Sequence, residues 1–175
     1  TVRTQIKLVL RKLEVQAIPD VVRILAGLAA SYPSQHVRAR APSNRLREQA
    51  RLQLRDGRVL AYEQSGAAKG RPVLFIHNML HGVSLPEVAL AAAQSCNWRL
   101  IAPSRPGFGQ SDPLPKAHGI ALMDAVADDC RQLLDHLQVP RALILGHLSG
   151  GIYATRIADR LPERTAGLML ASYLP

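Results

Sequence analysis

The segment Gly146-His147-Leu148-Ser149-Gly150-Gly151 constrains the fold of this chain more than any other. It follows the apolar run Ala142-Leu143-Ile144-Leu145 and opens a helix-compatible stretch from Ile152 to Ala158. Glycines at 146 and 150 let a strand and a helix approach closely, while the residue between them takes a strained turn conformation. In a G-x-S-x-G turn that strain lifts a serine hydroxyl toward substrate. Here the central residue is Leu148, which has no atom able to attack a carbonyl. Ser149 comes one residue later, and a turn shifted to make it the apex would put His147 where close packing needs a small residue.

The rest of the sequence supplies a context for such a turn. Arg51-Leu52-Gln53-Leu54-Arg55 alternates polar and apolar residues, Asp56-Gly57 is a hairpin signal, and Val59-Leu60-Ala61-Tyr62 returns. Short apolar runs at 72–77, 98–103, 142–145 and 166–171 predict further strands, with helices over 86–95, 122–137 and 151–161 between them. Repeated strand–helix–strand units imply an α/β fold, a mostly parallel sheet with helices on both faces. On the helix at 122–137, Leu122, Val126, Cys130, Leu133, Leu134 and Leu137 mark the buried side. Asp124, Asp128, Asp129 and Asp135 are expected on its solvated face.

Ahead of this lie two predicted helices in residues 1–30 and an aperiodic Ser-, Pro- and Arg-bearing linker over 31–50. The first helix carries Val2, Ile6, Val9 and Leu13 on one face; Pro19 is suited to the start of the second. Of the formal charge of +9, residues 1–50 hold nine Lys or Arg against three acids, so +6 falls there. That asymmetry points to a nucleic-acid partner for this end alone. No apolar run approaches the roughly 18 residues of a membrane span, so no membrane partner is expected. Cys96 and Cys130 lack metal-type spacing and are expected to be buried free thiols of a reducing cytoplasm. The chain starts at Thr1 and stops after an apolar run, as an internal fragment of a longer protein would.

From Arg51 onward the chain resembles the α/β-hydrolase superfamily. Three motifs carry the resemblance, in order. Leu74-Phe75-Ile76-His77-Asn78-Met79 is similar to the strand and oxyanion loop that usually read His-Gly. Ser104-Arg105-Pro106-Gly107-Phe108-Gly109-Gln110-Ser111-Asp112 is similar to a D-x-P-G-x-G-x-S-D loop, with Ser104 where Asp is common. The turn at 146–151 is third. The resemblance implies oxyanion donors at the backbone N–H groups of Met79 and Ser149 and a nucleophile position at Leu148; Ser149 is the alternative nucleophile. Asn78 replaces the usual glycine, and asparagine tolerates the left-handed conformation expected of that site. His77 and His147 stand where the superfamily carries structural histidines, with packing and hydrogen-bonding roles, and both are placed in the lining of a ligand pocket. His36, His81, His118 and His136 read as surface or loop residues, and Asp112 as a residue that fixes its loop.

Residues 1–30 are similar to the end of a LuxR-type helix-turn-helix domain. The pattern Thr1-Val2-Arg3-Thr4, then Lys7, Arg11-Lys12-Leu13 and Val15 carries this, with Glu14 where glycine is usual. The resemblance places Arg3, Thr4 and Lys7 toward the major groove and Arg11 and Lys12 toward phosphates. Two functions follow as expectations. One is a transcription regulator whose hydrolase-fold domain binds a small-molecule ligand and whose N-terminal end meets DNA. The other is a serine hydrolase acting on an ester- or amide-type substrate. No cofactor or metal is expected for either.

Overall fold

The β-hairpin announced by Asp56-Gly57 opens the sheet. Strand β1 (Arg45–Gln53) pairs antiparallel with β2 (Val59–Ala67), from Arg45 opposite Ala67 to Gln53 opposite Val59. The turn closes through Leu54 N–H to the Arg58 carbonyl, with Gly57 at a positive φ of 87° that side-chain-bearing residues resist. These details come from a computed structural model that describes residues 45–79, 82, 83, 85, 87–114 and 118–171. The chain divides into two compact units, Thr1–Arg38 and Ala39–Pro175, and every described residue lies in the second. The two predicted N-terminal helices, with Arg3, Thr4, Lys7, Arg11 and Lys12, lie outside the described residues.

Strand β1 starts at Arg45, inside the stretch read from sequence as linker. Glu48 and Gln49 are both exposed, so the pairing with β2 makes the strand there without any apolar alternation to announce it.

Beyond the hairpin come β3 (Arg71–Ile76), helix α1 (Glu87–Ser95), β4 (Trp98–Pro103), helix α2 (Gly119–His136), β5 (Ala142–His147), helix α3 (Gly150–Arg160), a single 3-10 turn at Pro162–Arg164, and β6 (Thr165–Ala171). The sheet order is β1-β2-β4-β3-β5-β6. The pairs β3–β4, β3–β5 and β5–β6 are parallel, whereas β2 meets β4 antiparallel.

Side chains along each central strand alternate between two cores, as the two-residue period of a strand requires. Leu74, Ile76, Ile101, Ala142 and Ile144 join the larger core with Val126, Cys130, Leu133, Leu134, Ala154 and Ile157 of α2 and α3. Val73, Leu100, Leu143 and Leu145 face the other way, against Leu90 and Ala93 of α1. Burial on both faces explains why these strands read as continuous apolar runs.

Asp129 corrects an expectation. It is 2% exposed rather than on the solvated face of α2. Arg58 of the hairpin reaches it with Nη1 donating to Oδ2 at 3.0 Å and Nη2 to Oδ1 at 2.7 Å. Burial, against the pull of Arg58, raises the carboxyl above its ordinary pKa. The helical repeat places Asp129 next to the apolar stripe, and only the hairpin's arrival turns that flank into an interior. Arg58→Ala leaves a buried carboxylate without its fork and is expected to cost about 3 kcal/mol in urea unfolding. The double variant Arg58→Met/Asp129→Leu is expected to cost clearly less than the two single changes summed.

Cys96 is a second correction. Both thiols are free, Cys130 is buried as expected, but Cys96 is exposed in the turn that follows α1. That turn reverses the chain through Asn97 at φ 54°, and reversal at the end of a helix is done at the surface. Among the described residues no helix is long and apolar enough to cross a membrane.

Candidate functional site

The end of β5 and the start of α3 form the strained turn that the glycines promised. Leu148 sits at its apex with φ 51°, a left-handed conformation that costs a residue bearing a Cβ roughly 1–2 kcal/mol. Two backbone bonds hold it there: Leu148 N–H donates to the Ala171 carbonyl at 3.0 Å, and Gly151 N–H to the Leu148 carbonyl at 2.9 Å. A Cβ at Gly146 would come within 2.7 Å of the Ala154 Cβ and the Gly151 Cα. One at Gly150 would fall inside contact distance of the Ile76 carbonyl oxygen. The backbone therefore holds residue 148 at the strained apex of the turn, and the side chain presented there is a leucine, 37% exposed.

Ser149 is on the helical side of the turn, at φ −62° and ψ −17°, off the strained apex. Its Oγ accepts a hydrogen bond from Met79 N–H at 3.2 Å. The two residues picked out as oxyanion donors are thus brought together, and the Ser149 hydroxyl occupies the Met79 donor. The Ser149 N–H stands at the start of α3, where backbone donors have no intrahelical acceptor.

Asn78 departs from expectation. The non-glycine residues at positive φ among the described ones are Asn97, Gln138 and Leu148, so Asn78 uses no left-handed conformation. Its side chain is buried, with Nδ2 donating to His147 Nδ1 at 3.2 Å, which ties the loop after β3 to the end of β5. The side-chain amide supplies a lock that a glycine would not. His147 is half-buried, with its ring stacked on Phe75 at 6.4 Å.

His77 lies behind the site instead of lining it. It is 0% exposed, and both ring nitrogens are engaged. Nδ1–H donates to the Asn78 carbonyl at 2.6 Å, and Nε2 accepts from Arg105 N–H at 3.1 Å, which sets a neutral tautomer. Burial lowers its pKa from 6.5 to about 4, helped by the Arg105 charge and opposed by the bond to Asn78. Because the folded pKa is depressed, this residue stabilises fully above pH 6.5 and loses its contribution as pH falls toward 4. The loss is expected to approach about 3 kcal/mol at the acid end, at 1.36 kcal/mol per pKa unit. Urea unfolding from pH 7 to 4 checks it: His77→Phe should flatten that part of the profile.

The loop between β4 and α2 is pinned to β2. Ser111 Oγ donates to the Ser104 carbonyl at 2.7 Å and accepts from Ala61 N–H at 2.9 Å. Asp112 Oδ2 accepts from Val59 N–H at 2.8 Å, a loop-fixing role. Next to this loop a cavity of about 390 Å³ is lined by Gln49, Arg51, Tyr62, Glu63, Ser104 and Gln110 among others, but not by Leu148, Ser149 or Met79. Among the described residues no three His, Cys, Asp or Glu side chains cluster so as to hold a metal ion. His81, Arg3, Thr4, Lys7, Arg11 and Lys12 lie outside the described residues.

Strand β3, the pinned loop, the strained turn and β6 occur in the order that the sequence motifs suggested, and residues 71–173 match the profile of the family described as alpha/beta hydrolase fold. The chain belongs to the α/β-hydrolase fold family. An uncharacterized hydrolase of Bacillus subtilis (strain 168) is 34% identical over 120 residues, 67% of this chain and 39% of that protein. A probable proline iminopeptidase of Leptolyngbya boryana is 31% identical over 112 residues, 64% of this chain and 34% of that protein. Among solved structures, a hydrolase from Pseudomonas aeruginosa PA01 superposes with a TM-score of 0.64 at 28% identity, over 72% of this chain and 46% of that one. The chain spans about a third of the length of the curated relatives it matches. Relatives of this hydrolase-fold chain are thus named as hydrolases, and in this chain Leu148 stands at the apex of the turn.

Proposed function

We propose that the α/β-hydrolase-fold unit binds a small ester- or amide-type ligand at the turn after β5 without attacking it through this turn. One observation carries the reading: the apex keeps its left-handed backbone while presenting Leu148, and the neighbouring Ser149 hydroxyl rests on Met79 N–H. Preorganised backbone donors around a carbonyl oxygen stabilise developing charge, but without a nucleophile they supply binding alone. Family membership supports a small-molecule ligand of the type that hydrolases take. The reading of Ser149 as a substitute nucleophile is disfavoured by its helical backbone and by its engaged oxygen.

The regulator reading rests on the basic first 50 residues and on the resemblance of residues 1–30 to a recognition helix. It concerns residues outside the description, and the family match supports the hydrolase-type reading first. An electrophoretic mobility assay on the full-length protein tests the DNA partner separately.

The ligand reading is checked with the full-length protein and a panel of short-chain acyl esters. Esters are expected to raise the melting temperature and to be recovered intact. A fluorophosphonate probe, which reports an activated serine, is expected to leave the protein unmarked. Labelling that disappears in Ser149→Ala would overturn the reading.

A further inference from the structure

Arg105 is the least satisfied polar group among the described residues. It belongs to the loop between β4 and α2, where sequence alone would place an arginine in solvent, yet it is 5% exposed. Its guanidinium carbon lies over the Phe108 ring at 4.6 Å from the centroid and over the Tyr153 ring at 4.4 Å. Tyr153 stands on the first turns of α3. Nε and Nη2 are shut off from solvent and have no hydrogen-bond partner. No carboxylate of the described residues forms an ion pair with it.

The chemistry of those two nitrogens is specific. Nε–H and one N–H of Nη2 project in parallel from the same edge of the guanidinium, the fork that grips both oxygens of a carboxylate side-on. Contacts with two rings occupy the cation otherwise and leave that edge as the direction for a polar partner. A water molecule in reach of the edge would satisfy hydrogen bonds but leave the buried charge unneutralised, and buried charges are paired as a rule. A planar carboxylate continues the plane of the guanidinium, whereas a tetrahedral phosphate is bulkier beside the rings. Burial also pulls the guanidinium below its ordinary pKa, against the opposing influence of Tyr153, as expected of a cation short of a counter-charge.

We propose that the Nε–Nη2 edge of Arg105 is a carboxylate-binding site, seated between the loop 104–112 and the first turns of α3. The carboxylate is that of a bound small organic acid. A fork shut off from water holds it strongly. This site does not rest on the reading of Leu148, and the Met79 donor is taken by Ser149.

The experiment uses full-length protein labelled with ¹⁵N-arginine and dialysed free of organic acids, with sodium acetate as the probe and sodium chloride as the ionic control. The Arg105 Nε–Hε signal is assigned by its loss in Arg105→Lys, a variant that keeps the charge but not the fork. With a free acid as occupant, acetate shifts the signal saturably and raises the melting temperature, chloride does neither, and Arg105→Lys weakens acetate binding at least about tenfold. A signal that is already downfield and protected from exchange before acetate is added, and that acetate does not move, overturns the proposal. A signal at the position of exposed arginines, indifferent to acetate, overturns the proposal. So does an Arg105→Met protein that melts higher than the wild type in acid-free and acetate buffers alike.

Discussion

Leu148→Ser in the full-length protein is expected to convert a chain inert to fluorophosphonates into one labelled at residue 148. The backbone already pays for the presentation: φ at 148 is 51°, held by bonds to the Ala171 carbonyl and from Gly151 N–H, none of which involves the side chain. Serine therefore inherits a turn built for it. Its Oγ projects where the leucine side chain is now, with Ser149 N–H and Met79 N–H as the adjoining donors. Removing a nucleophile from a complete serine-hydrolase site costs on the order of 10⁶-fold in turnover. Restoring it is expected to raise the labelling rate by at least about 10³-fold, a fraction of that loss. Because Ser149 Oγ sits on the Met79 donor, Leu148→Ser/Ser149→Ala is expected to label faster than the single variant. An unlabelled Leu148→Ser protein of unchanged stability would overturn the view that the apex keeps a working attack geometry.

Gly150→Ala is expected to be the most damaging single substitution in the sheet-to-helix junction. The added methyl would overlap the Ile76 carbonyl oxygen and come within 2.7 Å of the His77 carbonyl oxygen. Neither atom yields cheaply. Ile76 ends a strand paired on one side with β4 and on the other with β5, and His77 is held by bonds from both ring nitrogens. Relief requires α3 to move away from the sheet, which opens the core at Ala154 and Ile157. A loss above about 4 kcal/mol in urea unfolding is expected, in the range reserved for overpacked interiors and broken junctions. Gly57→Ala is the control, since nothing lies within 4 Å of a Cβ there and only the positive φ resists; about 1 kcal/mol is expected. Equal losses in the two variants would show that steric closeness of helix and strand does not govern the junction.

Much of the fold was legible because its signals are local. Each apolar run at 72–77, 98–103, 142–145 and 166–171 became a strand, and the helices between them formed within a few residues of their predicted bounds. A strand covered on both faces must be apolar throughout, so burial writes itself into consecutive residues. The turn was equally legible, since Gly146 and Gly150 are demanded by neighbours that any close-packed strand and helix would bring. The start of β1 was hidden, because an edge strand with exposed Glu48 and Gln49 needs only a partner's backbone. Asp129 was misplaced for a related reason: its helix has a solvated flank until Arg58 arrives from 71 residues away.

At the site, residue identity settled one matter by itself. A leucine at the apex cannot attack, whatever surrounds it. The tertiary structure decided what the neighbours do instead. Ser149 lies on Met79 N–H, Asn78 locks onto His147 in place of a backbone twist, His77 is neutral because it is enclosed, and Arg105 is buried with its fork empty-handed. Each of these depends on groups that meet only when β3, β5 and the loop 104–112 converge. Covalent capacity is a property of the side chain and can be read along the chain. Hydrogen-bond partners, protonation and desolvation belong to the space that folding encloses.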